Sequence, residues 1–123
     1  MLPAFSDADI LEWLEAAAPE DFDHLAFGVI GLAADFHVVA YSKAEAAVSG
    51  LTPARVIGRH FFASVAPCTN NYMVAQRFEL EPELDVVIDY VFTLRMAPTP
   101  VRLRLLKRPT ARHMYLLVEP RPT

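Results

Sequence analysis

GRHFFASVAPCT, from Gly58 to Thr69, is the stretch on which the reading of this chain turns. It sets two phenylalanines, small apolar residues and a proline directly against Cys68, the one cysteine in the sequence. A thiol in such a surround is either an inert small hydrophobe or the anchor for something that a pocket encloses. Desolvation raises a thiol pKa and quiets it, so the residue chemistry by itself favours the inert role.

On either side the chain alternates short signals. Upstream, Ser6 precedes Ile10, Trp13, Leu14 and Ala17 at helical spacing, with Asp7 and Asp9 near the positive end, which predicts a capped amphipathic helix. Pro19, Glu20, Asp21 and Asp23 end it and start a second short turn. Residues 1–22 therefore read as an N-terminal helical cap and residues 23–123 as the core of one domain. Leu25 to Leu32 and His37 to Tyr41 are rich in strand formers and predict a β-hairpin. Ser42 is placed to cap a helix that ends at Gly50, and Pro53 suits the first turn of another that stops before Gly58.

Downstream of Cys68, Thr69, Asn70 and Asn71 mark a turn, and Tyr72 to Leu80 predicts a helix closed off by Pro82. Three strands follow: Leu84 to Met96, Thr99 to Lys107, and Met114 to Glu119. Two strands, a cluster of helices and three more strands predict an α+β fold with a five-stranded antiparallel sheet and short helices on one face.

The bulk properties narrow the function. A chain of 123 residues with 54% hydrophobic and 21% charged residues is one globular domain with ample apolar surface, enough for a monomer or a weak dimer. A net charge of −4 argues against capture of nucleic acid or of an anionic membrane surface. The local run Arg102, Arg104, Lys107 and Arg108 reads as a solvated strand face. One cysteine makes no internal disulfide, and the opening MLPAFSDAD has no signal-peptide pattern, so a cytoplasmic protein is expected. Apolar runs such as Leu25 to Ala34 fall short of the about 20 residues a membrane span requires. His24, His37, His60 and His113 share no metal-ligand spacing, and structural or solvated roles suit them better than a Cys-His catalytic pair.

VIGRHFFASVAPCT resembles the segment that carries the chromophore cysteine in the photoactive yellow protein family, bacterial blue-light sensors with a PAS fold. DHLAFGVIGL is similar to the first strand of that family and its lead-in. YSKAEAAVSG places Tyr41 and Glu45 where the family keeps its phenolate-binding pair, and DYVFTLRMAPTPV resembles the strand and turn that close the pocket. The likeness runs from about Asp23 onward in one order, and several matched segments are far more specific than a lone cysteine motif.

The resemblance implies para-hydroxycinnamic acid (p-coumaric acid) bound covalently as a thioester to Cys68, with Ala66 and Pro67 beside it. It implies that Tyr41 and a protonated Glu45 donate to the phenolate. Ser49 stands where the family has a threonine bonded to the tyrosine, and Tyr90, Phe92 and Met96 share one strand face over the chromophore. Ile30, Phe61, Val65 and Thr69 complete the expected pocket. Without the resemblance, a strand-end tyrosine and a helical glutamate read as packing and as a surface charge.

The chain also departs from the family. Leu51 replaces the usual arginine over the ring, the connection from Cys68 to Tyr90 is shorter, and Tyr115 stands for a late tryptophan. The expectation is a photoreceptor and not an enzyme, signalling to a downstream protein by trans/cis isomerisation of the chromophore and proton transfer from Glu45. A chromophore-less PAS binding or dimerisation module is the alternative, and a cysteine-dependent acyl-transfer enzyme is a third reading.

Overall fold

The computed structural model describes residues 1–93 and 97–121. Its centre is one five-stranded sheet in the order β2-β1-β5-β4-β3, with every neighbouring pair antiparallel. The strands are β1 (Gly28–Leu32), β2 (Val38–Tyr41), β3 (Leu84–Phe92), β4 (Thr99–Lys107) and β5 (Met114–Pro120). Between β2 and β3 lie α2 (Lys43–Ser49), α3 (Pro53–Val56), a π turn (Phe61–Val65), a 3-10 turn (Pro67–Thr69) and α4 (Ala75–Leu80). Before β1 come α1 (Ile10–Ala16) and a 3-10 turn (Pro19–His24).

Both faces of the sheet are covered, which accounts for the sequence of its middle strands. All five residues of β1 are buried, and β5 is buried from Met114 to Val118, because successive side chains enter different cores. Ile30, Leu103, Leu105, Leu116 and Val118 face the helices between β2 and β3, along with Phe61, Phe62 and Phe78. Val29, Leu106, Tyr115 and Leu117 face the N-terminal segment, packed with Phe5, Ile10, Leu11, Leu14 and Phe22. The edge strand β3 instead alternates, with Leu84, Tyr90 and Phe92 buried and Asp85, Val87, Asp89 and Val91 exposed.

Local chemistry fixes the helix ends near the site. Ser42 Oγ accepts from the Glu45 amide at 3.4 Å as the N-cap of α2, and Gly50 closes that helix in the left-handed region at φ 77°. Pro53 opens α3 as expected. Ser6, in contrast, is not the cap of α1. Asp9 occupies that position without a side-chain bond, and Asp7 turns its carboxylate to the Ala4 amide at 2.9 Å.

Other boundaries move. The first strand starts at Gly28 and not Leu25, because Leu25 and Phe27 serve the cap core from irregular backbone. The helix expected from Tyr72 begins at Ala75, since Asn71 Oδ1 takes the Met73 and Val74 amides at 3.0 and 3.2 Å and holds that stretch as a turn. β3 is described to Phe92, and the expected end at Met96 lies outside the described residues.

Candidate functional site

The helices between β2 and β3 carry most of the predicted site residues into a single core. Tyr41 ends β2, and Glu45 and Ser49 follow on α2 at four-residue steps, which stack on one helix face. The Tyr41 hydroxyl donates to Ser49 Oγ at 2.7 Å, and Ser49 Oγ also accepts from the Leu51 amide at 3.1 Å. Burial, together with the nearby Glu45, holds the Tyr41 hydroxyl pKa above its ordinary value.

Glu45 is the anomaly. Its side chain is 1% exposed, and neither carboxyl oxygen has a hydrogen-bond partner. Burial alone pushes its pKa from 4.5 up to about 8, so at neutral pH the group is mostly a neutral acid with a proton to donate. Buried polar groups without partners are rare, and each demands an explanation. Gly28 makes room for this one: a Cβ at that position would lie 2.4 Å from Glu45 Oε1 and 3.0 Å from Glu45 Cβ. Glycine inside a strand often marks such close approach, the signal that could have tied Gly28 to the site.

Cys68 sits in the middle of the 3-10 turn Pro67–Thr69, partly exposed and packed against the same core as Ile30, Tyr41, Phe61, Val65, Ala66, Tyr90 and Phe92. Thr69 is fully buried, but its hydroxyl is bonded to the Ala66 carbonyl at 2.7 Å. Pro67 is exposed, so it contributes the fixed φ of the turn rather than a wall of the core. The Tyr90 hydroxyl donates to the Cys68 carbonyl at 2.6 Å. Asn71, read from sequence only as part of a turn, donates to that carbonyl at 3.2 Å and to the Tyr90 oxygen at 2.6 Å. Met96 lies outside the described residues.

Leu51 stands where the resemblance expects an arginine, beside a surface cleft. The cleft, of about 340 Å³, is lined by Leu51, Arg55, Val56, Arg59, Ser64 and Val65. His60 spends Nδ1 on the Ala63 amide at 3.1 Å as the cap of the π turn, a structural role. Among the described residues no group of three or more His, Cys, Asp or Glu side chains could hold a metal, and no helix is long and apolar enough to cross a membrane.

Comparison with known proteins gives a consistent result. The chain is 37% identical over 106 residues to the photoactive yellow protein of Halochromatium salexigens, covering 84% of this chain and 85% of that protein. It is 31% identical over 118 residues to the photoactive yellow protein of Rhodothalassium salexigens, covering 94% of each. Among solved structures, the photoactive yellow protein domain of the sensor histidine kinase Ppr from Rhodospirillum centenum superposes with a TM-score of 0.80 at 32% identity, covering 89% of this chain and 98% of that one. The PAS domain of an HTR-like protein from Haloarcula marismortui shares the fold at a TM-score of 0.64 and 14% identity. No family model matches the chain.

Proposed function

This chain belongs to the photoactive yellow protein family of PAS-fold photoreceptors, and from that membership we propose that it senses blue light through para-hydroxycinnamic acid joined as a thioester to Cys68. When bound, that group supplies the visible absorption and the double bond whose isomerisation starts the signal. The observation that carries the proposal is Glu45, a neutral acid 1% exposed whose two oxygens have no partner. An arrangement so costly is explained by a ligand with a polar end that takes the Glu45 proton as a hydrogen bond.

Each residue then has a stated task. Cys68 holds the acyl group. Glu45 holds the ring oxygen through its carboxyl proton and gives that proton up during signalling. Tyr41 supplies the second donor once its hydroxyl turns from Ser49, and Ser49 donates in return, since the Leu51 amide already fills one of its acceptor positions. Ile30, Phe61, Val65, Ala66 and Phe92 keep water from the site. A downstream signalling protein is the partner class this role requires, as the sensor-kinase setting of the Rhodospirillum centenum relative suggests.

Purified protein treated with an activated para-hydroxycinnamate tests the reading. A yellow product that bleaches in blue light and recovers, with an adduct mass located at Cys68, supports it. No adduct favours a PAS module without a chromophore, and steady release of free acid favours an acyl-transfer enzyme.

A further inference from the structure

The Cys68 peptide is fixed from both sides. On its C-terminal side the carbonyl accepts from the Tyr90 hydroxyl at 2.6 Å and from Asn71 Nδ2 at 3.2 Å, two side chains from different elements. Asn71 Nδ2 also reaches the Tyr90 oxygen at 2.6 Å, so the three groups close a triangle. The direction of the Asn71 amide follows from its other end, where Oδ1 accepts from Met73 and Val74 and leaves the nitrogen to face Cys68. On the N-terminal side Pro67 restricts φ, and the Thr69 amide and hydroxyl both bind the Ala66 carbonyl, at 2.9 and 2.7 Å. With the backbone held, the sulfur has χ1 as its one torsion and a few staggered positions to occupy. Cys68 is partly exposed, so water could have served its carbonyl; two side chains do so instead.

We propose that Asn71 and Tyr90 are positioning residues for acylation of Cys68, holding the turn so that the sulfur faces the acyl donor. The proposal rests on the reading of Cys68 as the anchor. In the step itself Sγ forms a bond to the acyl carbon of a thioester donor, the donor thiolate leaves with the electrons of the broken carbon–sulfur bond, and the Cys68 proton passes through solvent to that thiolate. In this step the Asn71 amide and the Tyr90 hydroxyl act through the Cys68 carbonyl, and the Tyr90 ring keeps its place in the pocket. A misplaced sulfur slows a reaction that requires one approach geometry and leaves unaffected a reaction that accepts any.

Two variants separate this role from a merely structural one. Tyr90→Phe removes the hydroxyl and keeps the ring. Asn71→Ser keeps an oxygen for the Met73 and Val74 amides but is too short to reach the Cys68 carbonyl. Because the chain has one cysteine, a ¹³C label in the cysteine carbonyl is unique, and its infrared band should move to higher wavenumber in both variants. Acylation by a para-hydroxycinnamoyl thioester should slow roughly tenfold in each, while alkylation by iodoacetamide, which tolerates any sulfur orientation, keeps its wild-type rate. Wild-type acylation rates in both variants overturn the proposal, as does equal slowing of acylation and alkylation, or a carbonyl band that does not move. If wild-type protein takes up no acyl group at all, the anchor reading falls and this inference falls with it.

Discussion

A carboxyl group that burial keeps neutral leaves a signature in the pH dependence of stability, and at Glu45 the sign is definite. Its pKa is about 8 in the folded chain and 4.5 as an ordinary glutamate, so between those values the folded state binds a proton that the unfolded state has released. The contribution is fully present below the lower value and is lost as pH rises through the upper one. The unfolding midpoint of protein not yet acylated should fall across that window, and Glu45→Gln should flatten the fall; identical slopes would show that Glu45 is not a buried acid. In acylated protein, Glu45→Gln should move absorption to longer wavelength, because an amide holds charge on the ring oxygen less strongly than a carboxylic acid does. An unchanged or shorter wavelength would remove Glu45 as the donor. Gly28→Ala drives a methyl group into Glu45 Oε1 and Cβ and should cost about 1 to 3 kcal/mol in denaturant unfolding, as overpacking does.

The N-terminal cap is held by polar ties as well as by its apolar core. Arg104 on β4 is 5% exposed and donates to the carbonyls of Phe5 and Asp7 at 2.9 and 2.7 Å while pairing with Asp85 at 2.8 and 3.0 Å. Farther along, Arg108 pairs with Glu12 at 2.6 Å, and Glu15 accepts from the Tyr115 hydroxyl at 2.6 Å and from the Arg112 amide at 2.7 Å. The Arg108 bond holds the Glu12 pKa below the ordinary range. Partial burial pushes Glu15 up, but the Tyr115 and Arg112 bonds outweigh it and leave that pKa low as well. Lowered carboxyl pKa values mean stability that is present above the ordinary range and lost as pH falls through the folded values. Acid should therefore loosen the cap, read as a red shift of Trp13 emission, with Glu15→Gln loosening it already at neutral pH. Arg104→Met should produce the same shift and cost on the order of 2 kcal/mol, since it takes the donor from the buried Phe5 carbonyl and leaves the Asp7 carbonyl with the Ile10 amide at 3.4 Å. Emission that is unchanged in Arg104→Met would mean that apolar packing alone docks the cap.

At the scale of the whole molecule the sheet is a thin wall between two cores, and α2 is tied to it. Ser42 Oγ, three residues before Glu45, accepts from the Val29 amide at 2.9 Å, and Val29 presents its side chain to the cap core on the opposite face. A charge left on Glu45 after proton transfer would be buried without a partner, costing several kcal/mol. That is a large share of the total stability of a domain. Weakly held structure should open in response, and the cap is short and partly held by ion pairs. Trp13 lies against Phe22, with ring centroids 6.3 Å apart, and should therefore red-shift on illumination, less so in Glu45→Gln. A complete bleach with unchanged emission would send the signal by another route.

Much of this was legible in the residues, for reasons of local physics. Ser42 and Gly50 bound α2 because caps satisfy backbone groups that a helix leaves open, and β5 stood out because a strand buried on both faces becomes a continuous apolar run. Glu45 and Ser49 share a face of α2 by helical arithmetic, with Tyr41 at the strand end before it, and the family resemblance named the three together with Cys68. What sequence alone did not determine is contact between distant segments. That Gly28 lies against Glu45, that Asn71 meets Tyr90 at the Cys68 carbonyl, and that Arg104 leaves a solvated strand face to hold Phe5 and Asp7 depend on how the sheet brings separate stretches together. Propensity and periodicity act over a few neighbours, whereas the burial that strips Glu45 of water exists only after β1, α2 and the helix core have closed around it.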